Sequence, residues 1–249
     1  MVATFDITMT AALRPNVLVR TLSSMKNHLR YDGDFRLVVD IAPVPLQGKD
    51  KDYVVRKQRE IADIVSFYFP RNTVRCIFDS PQAEALKWTW EHTRSPFILQ
   101  WEDDWELLHP IHLDEVLDKF NVTCDCPIGM IYLDRNGKSV KNYPGYEGVF
   151  KRMDESLYIR TKGKSLGGPP AVLSRTYLQS VLKILDGITC LDLLSATPKA
   201  RALLKEWGVG VFAETSGGIV RDIGKAWKNE MGLIMRKNTE RGVQWLPKK

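Results

Sequence analysis

Short apolar runs alternate with stretches of helical spacing along the first hundred residues. Phe5 to Met9 is a β-type run. Pro15 then opens a segment in which Leu18, Leu22, Met25 and Leu29 recur at spacings of 4, 3 and 4, one face of a helix with proline in its first turn. Phe35 to Asp40 reads as a second strand, ended by an acid and stopped by Pro43 and Pro45. Val54, Gln58, Ile61 and Val65 mark a second helix, and Val74 to Phe78 a third strand. Ser80, Pro81 and Glu84 supply an N-cap, a helix-opening proline and a first-turn acid for a third helix ending near His92. Pro96 to Trp101 is a buried-type strand that runs into Glu102-Asp103-Asp104. The order β-α-β-α-β-α-β predicts a parallel sheet with helices on both faces.

The second half is less regular. Leu113, Val116, Leu117 and Phe120 predict a helix, and Ile128 to Leu133 a strand. Residues 134–170 are rich in Gly, Lys, Tyr and Pro and show no period. Arg175 to Leu185 and Pro198 to Trp207 read as helices, Val209 to Phe212 as a strand, and the tail from Lys225 is basic.

Composition adds a globular chain. Hydrophobic residues make up 44% and charged residues 27% of the 249, which excludes a disordered or fibrous class. No apolar run approaches the roughly 20 residues of a membrane-spanning helix. The start, Met1 to Asp6, lacks the basic region of a secretory leader, so a cytoplasmic location without membrane insertion is expected. Cys76, Cys124, Cys126 and Cys190 have no zinc-type spacing and read as reduced thiols. With His only at 28, 92, 109 and 112, a His-rich metal site is not expected.

The acidic triplet is the most informative feature. Adjacent carboxylates repel one another, so a half-buried cluster calls for a cation. It follows a strand at the carboxyl end, where open α/β sheets bind ligands. In an extended chain Glu102 and Asp104 point to one side and Asp103 to the other. Two hard oxygen donors on one side suit Mg²⁺ or Mn²⁺, with a diphosphate completing the shell.

The stretch Pro81-Gln82-Ala83-Glu84-Ala85-Leu86-Lys87-Trp88, followed by Phe97-Ile98-Leu99-Gln100-Trp101-Glu102-Asp103-Asp104-Trp105, resembles the helix, strand and metal loop of the GT-A glycosyltransferases, nucleotide-sugar enzymes with an Asp-x-Asp motif. Thr8 to Pro15 resembles their first loop, and the likeness covers roughly residues 4–110. It implies an α/β fold of the GT-A, Rossmann-like kind: a mostly parallel sheet flanked by helices with an irregular acceptor-binding C-terminal half. Residues 1–249 then form a single domain, with 1–110 holding the nucleotide sugar and 111–249 the acceptor. Carried over position by position, the resemblance places Thr10, Ala12 and Arg14 at the base or diphosphate and Asp40 on the nucleoside. Gln82 and Glu84 fall near ribose or sugar, and Asp103 joins the donor-binding set. Glu102 and Asp104 would hold Mn²⁺ or Mg²⁺ with the diphosphate of a nucleotide sugar, in all expectation a UDP-sugar. Many family members add a late histidine. Here Arg221-Asp222-Ile223-Gly224 stands at that place, and Asp222 is the substitute ligand.

An inverting transferase also needs a carboxylate to accept the acceptor proton. In this family it lies in the second half, where Asp192, between Leu191 and Leu193, is the first candidate and Asp186 the second. A retaining enzyme needs no such base, and the sequence is compatible with both. Gly167-Gly168 would let backbone approach the donor sugar, so Gly168 joins the donor set.

The charge is uneven. Residues 135–175 carry nine Lys or Arg against Glu147, Asp154 and Glu155, interleaved with Tyr143, Tyr146, Phe150 and Tyr158. Such a stretch fits a phosphate-backbone surface. Lys151, Arg152, Arg160, Lys162 and Lys164 are its candidate DNA contacts. On a sugar-transferase core, this points to DNA carrying a hydroxymethylated base as acceptor, as in phages that modify their genomes. An envelope glycan or lipid-linked sugar is the alternative acceptor, and a non-catalytic nucleotide- or nucleic-acid-binding protein on the same fold the alternative class. No protein partner is indicated.

Overall fold

The computed structural model describes residues 3–42, 50–78, 82–135, 149–161, 170–185, 197–213, 218–230, 233–238 and 242–247. The strands in chain order are β1 (Thr4–Ala11), β2 (Leu29–Arg30), β3 (Asp34–Ile41), β4 (Asn72–Cys76), β5 (Phe97–Glu102), β6 (Trp105–Leu107), β7 (Ile111–His112), β8 (Ile128–Leu133), β9 (Phe150–Arg152), β10 (Leu157–Arg160), β11 (Ala171–Ser174), β12 (Gly208–Phe212), β13 (Val220–Asp222), β14 (Leu233–Asn238) and β15 (Gly242–Pro247). The helices are α1 (Pro15–His28), α2 (Lys51–Tyr68), α3 (Gln82–Glu91), α4 (Leu113–Asp118), α5 (Arg175–Leu182), α6 (Pro198–Glu206) and α7 (Gly224–Glu230).

Nine strands form one sheet in the order β4-β3-β1-β5-β11-β8-β12-β10-β9. The first half supplies four parallel neighbours, β4-β3-β1-β5. The second half joins through β11, which runs antiparallel to both β5 and β8. β8 and β12 are again parallel, and β10 and β9 close the far edge antiparallel. The carboxyl ends of β4, β3, β1, β5, β8 and β12 therefore share one edge of the sheet.

Side-chain alternation sorts the core into two layers. Phe5, Ile7, Met9 and Ala11 of β1 pack with Leu18 and Leu22 of α1, Ile61 and Val65 of α2, and Leu113 and Val116 of α4. Ile98 of β5, Met130 of β8 and Leu173 of β11 pack on the other face with Leu86 and Trp90 of α3, Tyr177 of α5 and Leu203 of α6. A fully buried Leu or Ile contributes roughly 1.5–3 kcal/mol, so these layers carry the fold. α2 buries the four positions its period picks out: Val54, Gln58, Ile61 and Val65. Its N-cap Asp50 accepts from the backbone N–H of Tyr53. Gly129 is required by close packing, since a Cβ there would stand 2.5 Å from the Tyr177 ring.

The structure departs from the sequence reading in the second half. β9 and β10 lie in the stretch that shows no period, and β11 occupies residues 171–174, to which the sequence reading assigned no element. The tail folds as α7 and the β14–β15 hairpin. No helix among the described residues is long and apolar enough to cross a membrane.

Candidate donor site at the carboxyl edge

Register brings the predicted residues into one row. Thr10 of β1 is level with Asp40 of β3 and with Glu102 of β5. Neighbouring strands lie about 4.8 Å apart, so Asp40 and Glu102 stand about 10 Å apart with Thr10 between them. One row back on the same face, Thr8 is level with Gln100. Three side-chain oxygens of these two rows are buried without a hydrogen-bond partner: Asp40 Oδ1, Thr8 Oγ1 and Gln100 Oε1.

Asp40 is fully buried, and Arg75 of β4 pairs with its Oδ2 alone. The Arg75 guanidinium stacks 4.7 Å over the Trp88 ring of α3, and its Nη1 lies 4.0 Å from Glu84. Burial pushes the Asp40 carboxyl above its usual range, against the Arg75 charge and hydrogen bond that pull it down. Glu84 is more than half exposed, where it meets Arg75 and solvent.

The acidic triplet does not stay extended. β5 ends at Glu102, residues 103 and 104 form a turn, and the chain resumes as β6. Trp101 Nε1 closes the turn by donating to the Trp105 carbonyl at 3.1 Å. The turn overrides the alternation expected from sequence and delivers both Asp103 and Asp104 to Arg14. The guanidinium pairs with Asp103 Oδ1, donates from Nε to Asp103 Oδ2 at 3.2 Å, and donates from Nη1 to Asp104 Oδ2 at 3.1 Å. Asp103 Oδ2 also accepts from the Ala12 N–H at 3.0 Å, and its carbonyl from Thr21 Oγ1 at 2.8 Å. Asp103 thus binds the first loop to the acidic turn, and the Ala12 N–H is committed to it. Burial acts to lower the Arg14 value, and the Asp103 and Asp104 charges more than reverse this, keeping the group charged.

At Glu102 the Trp105 side-chain hydrogen bond and the Arg14 charge are outweighed. Burial and the charges of Asp104 and Asp103 push its carboxyl up to about 8. A divalent cation at this place would reverse that cause, and Arg14 engages only Oδ2 of Asp104. The donor chemistry of Glu102 and Asp104 therefore fits a hard cation. Among the described residues, however, no group of three or more His, Cys, Asp or Glu converges on one point.

A late segment is strapped across the turn. β13 pairs antiparallel with β6, setting Asp222 opposite Trp105, and the Ile223 N–H donates to the Asp104 carbonyl at 2.9 Å. A Cβ on Gly224 would stand 2.0 Å from Asp104 Oδ2, so only glycine lets α7 start here. The Trp227 ring lies 5.3 Å from the Arg14 guanidinium. Asp222 itself is exposed and accepts from the Lys225 N–H at 3.1 Å in the first turn of α7. Arg221 pairs with Glu106 at 2.6 Å.

The structure brings together Thr10, Ala12, Arg14, Asp40, Glu84, Glu102, Asp103, Asp104 and, through the strap, Asp222. Gln82 opens α3, and only its backbone is described. Gly168, Asp186, Asp192, Lys162 and Lys164 lie outside the described residues. Lys151 and Arg152 are exposed on β9, the far edge strand, and Arg160 is half-buried on β10 with its guanidinium 6.0 Å from the Phe150 ring. Arg75, Gly224 and Trp227 belong to the site and were not among the sequence candidates. The strap falls in the segment Arg221–Gly224 that the resemblance set beside the metal loop, but its pairing with β6 has no local signal.

No family model and no curated protein matches the chain. Solved structures do. It is similar to S. aureus TarS with a TM-score of 0.50 and 11% identity, over 88% of this chain and 36% of that one. Structures of S. aureus TarS 1–349 in complex with UDP-GlcNAc and with UDP give TM-scores of 0.47 and 0.48, at 10% and 12% identity. They are covered over 58% and 60% of their length by 88% of this chain. The chain thus spans little more than a third of the first of these proteins. At such identity the likeness concerns the fold alone: a mixed α/β architecture of the GT-A, Rossmann-like kind, its largely parallel core sheet flanked by helices.

Proposed function

We propose that this chain is a cytoplasmic glycosyltransferase that moves a sugar from a UDP-sugar to an acceptor hydroxyl. The observation that carries the reading is the row Asp40–Thr10–Glu102 at the carboxyl edge, ending in an acidic turn that Arg14 holds in shape. Asp40 offers its partnerless oxygen to a base N–H, and the span of about 10 Å to Glu102 suits a nucleotide lying along the edge. Glu102 and Asp104 would hold Mg²⁺ or Mn²⁺, which when bound neutralises the diphosphate as it leaves. Arg14 keeps Asp104 aimed, and the strap at Ile223 and Gly224 fixes the turn from outside.

For the acceptor we favour a glycan or lipid-linked sugar over DNA. The described basic residues that suggested DNA, Lys151 and Arg152 on β9 and Arg160 on β10, stand five and four strands from β5 in the sheet order. That is about 19–24 Å from the acidic turn.

The test is calorimetry with UDP and a UDP-sugar panel in Mn²⁺, followed by transfer assays on oligosaccharide, lipid-linked sugar and hydroxymethylcytosine DNA at low and high salt. The reading expects salt-independent transfer to a sugar acceptor, abolished by EDTA and by Asp104→Ala. Steeply salt-dependent transfer to DNA, lost in a Lys162→Glu, Lys164→Glu variant, restores the DNA acceptor. UDP binding without turnover on any acceptor assigns the fold to a binding protein. Turnover indifferent to EDTA and to Asp104→Ala removes the metal.

A further inference from the structure

The donor row does not end at Glu102. Ala171 of β11 is level with Gln100 of β5 on one side and with Tyr132 of β8 on the other. Two residues onward along the parallel strands β5 and β8, Glu102 and Asp134 are level. Asp134 continues the β8–β12 ladder, donating its N–H to the Phe212 carbonyl at 2.9 Å. Its carbonyl accepts from Ile219 at 2.8 Å and Val220 at 3.1 Å, so the strap that crosses the acidic turn also pins this residue.

The alternation of the strand sets its face. The next residue, Arg135, places its guanidinium 4.7 Å over the ring of Trp105, which belongs to the α1–α4 layer of the core with Leu133. Asp134 between them takes the opposite face, the one shared by Asp40, Thr10 and Glu102. The carboxyl edge thus carries three acids in one row, Asp40, Glu102 and Asp134, two strand spacings apart each time, about 10 Å. Asp134 is 2% exposed. The partnerless, buried Gln100 Oε1 lies on the same face of the sheet, on β5 one row behind Glu102. It is a polar group left for a bound molecule.

We propose that Asp134 is a catalytic residue of this site, the base that receives the proton of the acceptor hydroxyl. The assignment rests on the glycosyltransferase reading above. With the nucleotide between Asp40 and Glu102, the sugar extends past Glu102 toward β8, and Asp134 stands on its far side. The acceptor oxygen bonds to the anomeric carbon, the bond from that carbon to the diphosphate oxygen breaks, and UDP leaves with the electron pair. The hydroxyl proton passes to Asp134, and the new glycoside has inverted configuration.

The experiment compares wild type, Asp134→Asn, Asp134→Ala and Asp192→Asn in transfer to a sugar acceptor, with UDP affinity measured on each. The strap holds the backbone of residue 134, so these substitutions leave it in place. The expected result is a fall in kcat of about 10²–10⁴-fold for Asp134→Asn with UDP affinity unchanged. Formate is expected to restore part of the turnover of Asp134→Ala, which a purely structural role would not allow, and the product is expected to be the inverted anomer by NMR. Retained configuration overturns the assignment. So does a kcat within a few-fold of wild type in Asp134→Asn while Asp192→Asn is inactive, or loss of UDP binding together with turnover. A wild-type chain that transfers no sugar removes the functional reading and this assignment together. A transferring wild type with an equally active Asp134→Asn removes Asp134 alone.

Discussion

Two acid–arginine pairs stand at the same sheet edge and differ in what they leave unfinished. Asp103 meets Arg14 with both oxygens and takes a backbone N–H besides, and both side chains are 4% exposed. Asp40 is just as buried, yet Arg75 takes only one of its oxygens and is itself 22% exposed. The first pair is closed: both Asp103 oxygens are spent on the protein. The second is open on the side of the donor row. A saturated buried pair is architecture, and a buried pair with an orphaned oxygen is a binding group, because leaving that oxygen dry costs roughly 1–3 kcal/mol that only a ligand or water recovers.

The largest effect should come from breaking the closed pair. Asp103→Ala leaves Arg14 buried beside a lone Asp104 and is expected to cost about 3–5 kcal/mol of folding free energy, read by denaturant unfolding. Asp40→Ala should cost less, because Arg75 can turn to solvent. Equal losses would erase the distinction between the pairs.

Gly224→Ala strikes the architecture from outside. Its Cβ would overlap Asp104 Oδ2, so a loss of about 1–3 kcal/mol in stability is expected. Turnover should fall about a hundredfold, since Asp104 must shift. Normal kinetics would show that the strap does not position the turn.

Asp40→Asn sharpens the open pair. Donor affinity should drop about ten- to a hundredfold, the worth of one hydrogen bond to a charged group, with kcat at saturating donor little changed. Calorimetry with UDP reads it, and unchanged affinity would take Asp40 out of the site.

A further test is a pH slope. The Glu102 carboxyl, held up to about 8 by burial and the Asp104 and Asp103 charges, binds a proton in the folded state that the unfolded chain has already released above its ordinary 4.5. In metal-free buffer with EDTA, stability should therefore decline as pH rises from about 5 to about 8. Glu102→Gln is expected to flatten that decline, and an unchanged slope would assign it to other groups.

Much of the first half was legible because each element there has the period of its kind and the length to show it. The face of α2 follows from spacing, and the apolar run and prolines place the end of β3 within one residue of its end at Ile41. The second half hides its strands by brevity. Leu157–Arg160 and Ala171–Ser174 are four residues each, too short for alternation to register, and Ser174 doubles as the N-cap of α5. The acidic triplet was found but misread in direction, because a turn at 103 and 104 is decided by the Trp101–Trp105 contact and by Arg14, not by strand geometry. Arg75 and Asp134 escaped because their meaning lies in register across strands, which no local window contains. Asp222 was found at the correct place beside the turn, and its side chain there meets the first turn of α7.

The strap also dictates an order of events during synthesis. Arg14 can find Asp103 once the first hundred or so residues have formed their parallel sheet, since these contacts lie within one continuous piece of chain. The ties from Arg221 to Glu106 bridge a separation of 115 residues. Contacts so distant in sequence form late, after the loop between them has been closed. A nascent chain therefore carries a compact first half whose acidic turn is still bare on one side, and the turn gains its last hydrogen bonds only when Val220 to Gly224 arrive. Competence for chemistry is then set by the end of folding rather than by its beginning, and a ribosome-bound chain would hold a recognisable donor row well before it held a working one.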